Sequence, residues 1–237
     1  MFRLFAQCLA SPMALCLLIF LLLASPGTSR VRSAEQQEAA DGAAAEAAAQ
    51  SDEMPIFNGK SLEGWRIIDT FDFRRHGKVY VKDETIFLEQ GEPATGISWK
   101  GKIPRINYEI TLDGQRVKGT DFFCGLTFPV KEEYCTLILG GWGGSVVGLS
   151  NVDSYSAVEN ETTQAVDFLN KRWYAIRLRV TEERISVWID DDKLIDLETT
   201  GRKFSIYWEQ DPVKPLGLVT WQTGGALKNL KLKRVTP

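Results

Sequence analysis

The sequence predicts an all-β fold, a two-sheet antiparallel jelly-roll sandwich, for residues 54–237. Three observations lead to this prediction. Apolar and polar residues alternate with a period of two in run after run. Turn-forming residues separate these runs. No window of this region keeps a helical apolar period over three turns. About a dozen short strands, each with one apolar face, are buried best by packing two sheets together.

The alternation is clearest in four runs, at 107–113, 173–180, 185–189 and 230–233. The expected turns between strands include Asp113-Gly114, Lys118-Gly119, Gly201 and Gly224-Gly225. The Asp190-Asp191-Asp192 run resembles a cation site, but Asp is common in turns and a hairpin turn is the preferred interpretation. A short helix is expected near Gln164–Asn170.

The charge balance of the predicted domain excludes two classes of partner. The first 53 residues contain 3 of the 28 basic and 6 of the 31 acidic side chains, which leaves 25 of each in residues 54–237. A domain of zero net charge lacks the basic surface expected for binding nucleic acid or an anionic membrane. All 7 Trp and 6 Tyr lie in the domain, which argues against disorder.

The N-terminal 33 residues are predicted to be a signal peptide. An apolar run covers residues 13–24, which suits a signal sequence and falls short of the ~20 residues of a membrane span. Arg30 and Arg32 leave open an uncleaved anchor, the one route by which the sequence predicts contact with a membrane. The protein is therefore expected to be exported to the periplasm, the cell envelope or the extracellular space.

Residues 34–53 are predicted to form a disordered tether. They contain nine Ala, with Glu and Gln, and no aromatic or branched apolar residue. Such a composition cannot build a core. The segment is either a spacer that holds the domain away from a membrane or an unselected extension.

Cys124 and Cys135 lie in two strand-like runs, 122–128 and 133–139, joined by a short turn. In a hairpin both side chains point to the same face and are expected as opposite or diagonal neighbours. A disulfide is possible outside the cytoplasm. The rest of this face is apolar, so two buried thiols are an equal alternative.

The segment around Trp142 is the most unusual part of the domain. Four Gly flank this Trp, which leaves it few local neighbours and suggests a face on which a sugar stacks. A polar loop follows, with Asn151 at its start as a further candidate to bind substrate. Its oxygen-rich side chains, Asp153, Glu159, Asn160 and Glu161, could bind a hydroxylated ligand or a divalent cation such as Ca²⁺. The alternative is a glycine-rich turn followed by an ordinary polar loop.

Two end segments resemble a known family. The opening run Ile56-Phe57-Asn58-Gly59-Lys60-Ser61-Leu62-Glu63-Gly64-Trp65 is similar to the start of the 3-keto-disaccharide hydrolase domain, and Leu227-Lys228-Asn229-Leu230-Lys231-Leu232 is similar to its end. The resemblance covers about 180 residues, from Pro55 to Val235. It implies a concanavalin A-like jelly roll that acts on glycosidic bonds of 3-keto-sugars.

That chemistry guides the choice of candidate catalysts. A 3-keto group acidifies the neighbouring C2–H, so a site needs a base, an acid for the leaving oxygen and often a divalent cation. Glu159 and Glu161 in the polar loop are candidates. Glu109 and Asp113 share one face of a strand, although they could instead be a solvated face that pairs with nearby Arg side chains.

The chain also departs from the family at its centre. Members usually carry Asn-Ser-Gly on one strand, where this chain has Phe123-Cys124-Gly125. They usually carry Tyr-Glu-x-Gln-x-x-Asp on the next, where this chain has Tyr134-Cys135-Thr136-Leu137-Ile138-Leu139-Gly140. The Glu, Gln and Asp are missing, so activity is either relocated or lost.

Lost activity would leave a carbohydrate-binding or adhesion module. Trp99, Trp208 and Trp221 would then join Trp142 as stacking platforms. His76, the only His, lies in a basic turn and is expected to be a surface residue rather than a general base.

Overall fold

The computed structural model describes residues 53–236 as two antiparallel sheets packed face to face. The predicted signal peptide and all but the last residue of the predicted tether lie outside the described residues. The fifteen strands of this region are β1 (Glu53–Pro55), β2 (Trp65–Ile67), β3 (Val79–Lys82), β4 (Thr85–Leu88), β5 (Ala94–Trp99), β6 (Tyr108–Lys118), β7 (Cys124–Val130), β8 (Glu133–Gly141), β9 (Val146–Ser150), β10 (Gln164–Ala165), β11 (Trp173–Val180), β12 (Arg184–Ile189), β13 (Asp192–Glu198), β14 (Gly217–Trp221) and β15 (Gly224–Arg234). The prediction of a jelly-roll sandwich is confirmed.

Each sheet is built from strands that are not all consecutive in the sequence. The eight-stranded sheet has the order β13-β12-β11-β6-β15-β4-β3, with β1 paired to β15. The seven-stranded sheet has the order β10-β9-β8-β7-β14-β5-β2. Strands that are distant in sequence are therefore neighbours, and the last two strands lie inside the sheets rather than at their edges.

The core lies between the two sheets, where the period-two alternation places it. In β11 the side chains of Tyr174, Ile176, Leu178 and Val180 are buried, and those between them face outward. One cluster of buried apolar residues connects both inner faces. Within residues 53–236 no helix is long and apolar enough to cross a membrane.

The opening motif closes the sandwich beside the last strand. The Asn58 carboxamide oxygen accepts hydrogen bonds from the backbone N–H groups of Lys60 and Ser61, at 2.8 and 2.9 Å, and so shapes the turn. Trp65 is buried and its indole N–H donates to the Ile56 carbonyl at 2.8 Å. The motif is thus structural, as its residue types predict.

The segment predicted as a short helix is extended, so that prediction is wrong. Gln164 and Ala165 form β10, which pairs with β9, and irregular chain follows. The ring of Phe168 then packs edge-on against Phe123 and Tyr174, with centroids 5.0 and 4.9 Å apart. An extended path allows this one aromatic side chain to reach the core.

The two cysteines lie on the same inner face but are neither opposite nor diagonal neighbours, so that expectation is wrong. The register of β7 and β8 pairs Cys124 with Leu139 and Cys135 with Phe128. Both are free thiols and fully buried. Burial raises the pKa of Cys124 to about 12 and also raises that of Cys135.

The predicted hairpin at Asp190-Asp191-Asp192 is confirmed. Asp190 has a φ of 54° in the turn between β12 and β13. Its carboxylate accepts the Ala175 backbone N–H at 2.9 Å and pairs with Arg172 at 2.7 Å. The carboxylate therefore ties this turn to β11.

The outer face of the seven-stranded sheet is partly covered by connecting chain. Two short 3₁₀ turns, Phe71–Phe73 and Trp208–Val213, lie over it. Phe73 and Val213 from these turns are buried with Ile68, Ala94 and Val219 in a second, smaller apolar cluster. This cover leaves the other half of the same face open as a cleft.

Candidate functional site

A cleft of about 260 Å³ opens on the outer face of the seven-stranded sheet, which we call the aromatic cleft. This volume lies just below the ~300–1,000 Å³ typical of sites for drug-sized molecules, and so suits one group of monosaccharide size. Its lining residues are Asp121, Phe122, Thr136, Ile138, Trp142, Ser150, Tyr207, Glu209, Gln210 and Trp221.

Strand β8 forms the floor of the aromatic cleft. Cys135 and Leu137 face the core, so the alternating residues Thr136 and Ile138 face outward into the cleft. The hydroxyl groups of Thr136 and of Thr127 on β7 are hydrogen-bonded at 2.8 Å. The strand that carries Glu and Gln in the resembling family therefore contributes no carboxylate to this cleft.

Trp142 stands at one end of the cleft, in the turn between β8 and β9. The glycines around it are needed: Gly144 has a φ of 110°, and a Cβ there would lie 2.8 Å from a guanidinium nitrogen of Arg116. Arg116 is buried and donates to the Gly144 carbonyl at 3.0 Å, to the Phe168 carbonyl and to the Asn170 side chain. These hydrogen bonds hold the Trp142 turn in place against the sandwich.

The walls of the cleft are aromatic. The rings of Phe122 and Trp221 are nearly parallel, with centroids 6.2 Å apart. Trp142 and Tyr207 are 44% and 43% exposed, which is unusual for such large apolar side chains. Aromatic faces of this kind match the apolar C–H faces of a sugar ring.

Asp121 is a partly buried carboxylate that lies three residues before the start of β7. It accepts the Phe122 backbone N–H at 2.7 Å and also the backbone N–H of Trp142. Loss of solvation raises the pKa of the Asp121 carboxyl, although these two N–H groups and the charge of Arg116 oppose the shift. A raised pKa favours a carboxyl that holds or exchanges a proton closer to neutral pH.

Glu209 and Gln210 approach the cleft from the 3₁₀ turn Trp208–Val213. One carboxylate oxygen of Glu209 and the amide oxygen of Gln210 are buried without a hydrogen-bond partner within residues 53–236. Unpaired buried oxygens are costly and are concentrated at functional sites. None of the described residues that line the cleft is Lys, Arg or His.

The polar loop after β9 is held together by its own side chains. Arg202 pairs with Asp153 at 2.7 Å and also with Glu161. The Lys203 backbone N–H bond and the Arg202 contact together lower the pKa of Asp153. Glu159 accepts a 2.6 Å hydrogen bond from the Ser156 hydroxyl. None of the three carboxylates lines the aromatic cleft, so their catalytic or binding roles stay predictions.

The two asparagines of this loop make structural hydrogen bonds. The Asn160 side-chain nitrogen donates to three carbonyls at 2.8–3.0 Å, and its oxygen accepts from Thr162. Asn151 exchanges backbone hydrogen bonds with Ser205 and is next to Ser150 in the cleft floor. Among Trp142, Asn151, Asp153 and Asn160, only Trp142 lines the cleft.

Glu109 and Asp113 lie on the opposite side of the molecule, on the outer face of the eight-stranded sheet. Arg179 pairs with Glu109 at 2.7 Å, and the Asn229 amide donates to Asp113 at 2.7 Å. The alternative interpretation, a solvated sheet face paired with Arg, holds only in part: Glu109 is paired with Arg179 but its side chain is only 11% exposed, and Asp113 contacts an amide instead of an Arg. Their proposed catalytic role stays a prediction.

The remaining candidates are divided between the core, the surface and the cleft. Trp99 packs against Trp65, with centroids 5.3 Å apart, whereas Trp208 is 63% exposed beside Phe71. Trp221 lines the cleft. His76 is half-buried in its turn, and its Nδ1 lies 2.7 Å from the Gly77 carbonyl oxygen.

A divalent cation has no matching donor set within residues 53–236. No three His, Cys, Asp or Glu side chains of this region are grouped closely enough to hold a metal ion. Two carboxylates of the predicted Ca²⁺ loop, Asp153 and Glu161, contact a guanidinium instead. We therefore assign no step of the proposed reaction to a cation.

Fold and cleft together define a class: a jelly-roll sandwich whose open sheet face carries an aromatic cleft with carboxylates is typical of carbohydrate-active domains. The family model for the 3-keto-alpha-glucoside-1,2-lyase-like domain matches residues 52–233. The chain belongs to this family of glycosyl hydrolase-like domains, as the two end segments predict. No curated protein matches the sequence.

The chain is similar to several solved structures at low sequence identity. The Crh5 transglycosylase in complex with NAG is 12% identical, with a TM-score of 0.51 over 78% of this chain and 85% of that one. An endo-acting O-glycanase of the human gut microbiota is 8% identical, with a TM-score of 0.47 over 73% and 92%. The carbohydrate-binding module CBM66 from Bacillus subtilis is 12% identical, with a TM-score of 0.40 over 72% and 95%.

Sequence reasoning did not single out Asp121, Tyr207, Glu209 or Gln210. Asp121 directly follows a turn and reads as an ordinary turn residue. The run Tyr207-Trp208-Glu209-Gln210 has two aromatics beside an acid outside any alternating segment, and this was the available signal.

Proposed function

We propose that the domain cleaves the glycosidic bond of 3-keto-glucosides in the aromatic cleft, with Asp121 and Glu209 as its acid and base. One observation carries the proposal: the cleft holds two carboxylates and four aromatic side chains, and no basic residue among its described lining. A sugar can stack there, and no Lys, Arg or His among the described lining residues pairs with either carboxylate.

The reaction needs one carboxyl group as a base and a second as an acid. A base removes the proton from C2, which the 3-keto group acidifies, and the C–H electrons form the C1–C2 double bond as the C1–O bond breaks. The leaving oxygen takes a proton from the acid. Asp121 is assigned as the acid because burial raises its pKa, and Glu209 is assigned as the base.

The test is mass spectrometry of products from 3-keto-trehalose, 3-keto-sucrose and 3-keto-maltose incubated with the full chain. We expect release of a monosaccharide, and a loss of about 10²–10⁴-fold in turnover for Asp121→Asn and for Glu209→Gln. Glu109→Gln, on the other sheet, is the matched control and should retain activity. Undiminished turnover in both cleft variants would contradict the assignment.

A second candidate, a binding module without catalysis, is favoured by Thr136 and Ile138 at the outward positions of β8. This candidate predicts that the same 3-keto-disaccharides raise the melting temperature of the protein but yield no product. Trp142→Ala would then abolish the shift.

We further propose that residues 1–33 direct export, which the apolar run at 13–24 supports. Expression of the full chain in a bacterial host followed by cell fractionation tests this. A protein found only in the cytoplasm, with its N-terminal residues intact, would contradict it.

A further inference from the structure

We propose that the aromatic cleft takes a positively charged ligand, a glycoside that carries an ammonium group. The proposal rests on the proposed function in that it places the sugar in the same cleft, and it adds the charge of that sugar. Three features of the cleft lead to it: its rings, its carboxyl groups and two buried oxygen atoms that lack a hydrogen-bond donor.

The four rings of the cleft differ from other aromatic rings of the sandwich in what covers them. Outside the cleft, a Lys or Arg of the protein lies over the face of a ring, 4.0–5.1 Å from its centroid, at Tyr80, Tyr134, Trp173, Tyr174 and Trp188. Within residues 53–236, no Lys or Arg lines the cleft to cover its rings in this way. Ring faces attract cations, so the cleft has a place for one that the ligand brings.

The carboxyl groups of the cleft have no basic side chain beside them in its lining. Asp121 and Glu209 both line the cleft, and no described lining residue is Lys, Arg or His. The charge of Arg116 reaches Asp121, but Arg116 is buried and donates to backbone carbonyls outside the lining. By contrast, Asp211 in the same 3₁₀ turn as Glu209 pairs with Lys214. Two carboxyl groups without a lining cation favour a cationic ligand.

Two buried oxygen atoms of the cleft need a hydrogen-bond donor. Gln210 is 6% exposed and lines the cleft, and its amide oxygen has no partner within residues 53–236. One carboxylate oxygen of Glu209 is buried in the same condition. An ammonium group has three N–H donors and no acceptor, so a single ammonium can donate to both oxygens. A hydroxyl group has one donor and can satisfy only one of them.

The size of the cleft and the type of donor select among cations. A volume of about 260 Å³ suits one group of monosaccharide size. A quaternary ammonium has no N–H and would leave both oxygens without donors. An amino sugar brings the ammonium together with a C–H face that stacks on the rings. The ammonium then lies at Glu209 and Gln210, and the other carboxylate oxygen of Glu209 remains available as the base.

The test is isothermal titration calorimetry of the full chain at about pH 6, where aliphatic amines are protonated. The probes are methyl glucoside, its 2-amino and 6-amino deoxy derivatives, and the N-acetylated form of each amine. None of them has a 3-keto group, so no probe is consumed. We expect at least one amine to bind about 10- to 100-fold more tightly than methyl glucoside, the value of charged hydrogen bonds. Its N-acetylated form should lose this gain.

Two matched variants separate a local contact from the general negative charge. Glu209→Gln keeps the shape of the side chain and removes its charge, so the affinity for the amine should fall to within about threefold of that for methyl glucoside. Asp211→Asn removes a carboxylate of the same turn that does not line the cleft, and should leave both affinities unchanged. Melting temperatures of the two variants check that they are folded.

Three outcomes would overturn the proposal: equal affinity of the wild type for methyl glucoside and both amines, no binding of either amine, and an amine preference that survives in Glu209→Gln. Turnover of 3-keto-disaccharides is measured separately by mass spectrometry. Turnover without an amine preference would leave the proposed function standing with a neutral substrate. An amine preference without turnover would support the charged ligand and contradict the proposed cleavage.

Discussion

The outer faces of the two sheets carry similar residue types and arrange them in opposite ways. On the eight-stranded sheet, charges are paired across strands, as in Arg179–Glu109 and Arg184–Asp196, and guanidinium groups cover the ring of Trp188. On the seven-stranded sheet, the carboxylates of Asp121 and Glu209 share a cleft with bare aromatic rings. A sheet face becomes a candidate site where its carboxylates are not paired with a lining cation and share a cleft with aromatic rings.

The two faces differ because connecting segments cover part of the seven-stranded sheet. The 3₁₀ turn Trp208–Val213 and the Trp142 turn rise above the seven-stranded sheet and shield part of it from water. Removal of solvent is what raises the pKa of Asp121. On the other face the charged side chains are paired with each other, and exposed pairs such as Arg184–Asp196 contribute little to stability.

The largest expected effect is on stability and compares buried Arg116 with exposed Arg184. Arg116→Ala should lower the free energy of unfolding by about 3–5 kcal/mol, because it removes buried charged donors from the Gly144 and Phe168 carbonyls. Arg184→Ala, on the exposed sheet face, should cost at most about 1 kcal/mol. Urea unfolding measures both, and equal losses would contradict the contrast between the faces.

The next effect compares Trp142 in the aromatic cleft with Trp188 on the other sheet. Trp142→Ala should weaken 3-keto-disaccharide binding by about tenfold, which corresponds to about 1.4 kcal/mol of lost stacking. Trp188→Ala should leave the affinity unchanged, because its ring is covered by Arg177 at 4.0 Å. Calorimetric titration of both variants decides the point. A loss of affinity in Trp188→Ala would move the site to the other face.

A pH series tests the solvation of Asp121. Since its folded pKa is raised above its unfolded value, folding binds a proton there, and the stability that this carboxyl contributes falls as pH rises between the two pKa values. Asp121→Asn should therefore gain stability relative to wild type at pH 7 and lose that advantage near pH 3. Thermal melts at the two pH values give the comparison, and a pH-independent difference would refute the burial of this group.

The smallest effect is expected for the paired charges on the open sheet. A double-mutant cycle with Arg184→Met and Asp196→Asn, whose side chains are 45% and 39% exposed, should give a coupling energy of about 1 kcal/mol or less, which decreases with added salt. A coupling several times larger would mean that this face is also shielded from water.

Much of the fold follows from local patterns. The strand β11 agrees with the alternating run 173–180 residue for residue, and the turn at Asp190 follows from the Asp run. Period-two burial is a property of each strand alone, so sequence reveals it. The irregular path at 164–170 does not follow from a local pattern, because the ring of Phe168 packs against Phe123, which is distant in the sequence.

The site was harder to predict for the same reason. Trp142 stands out locally, framed by glycines, and it does line the cleft. Asp121 and Glu209 are separated by more than eighty residues, and only the strand order β8-β7-β14 and the overlying turn bring them to one cleft. Cys124 and Cys135 show the same limit, since the register of β7 and β8 places Leu139 opposite Cys124 and Phe128 opposite Cys135.

The pairing of the first strand with the last has a consequence for connectivity. Glu53 is paired with Lys233, and its carboxylate accepts the Lys231 ammonium at 2.9 Å, so the two ends of the described chain lie side by side. A short linker from residue 236 to residue 53 could therefore join them without strain. New termini opened in the Asp190–Asp191 turn would give a circular permutant that keeps both sheets, with its ends between β12 and β13 instead of at β1 and β15.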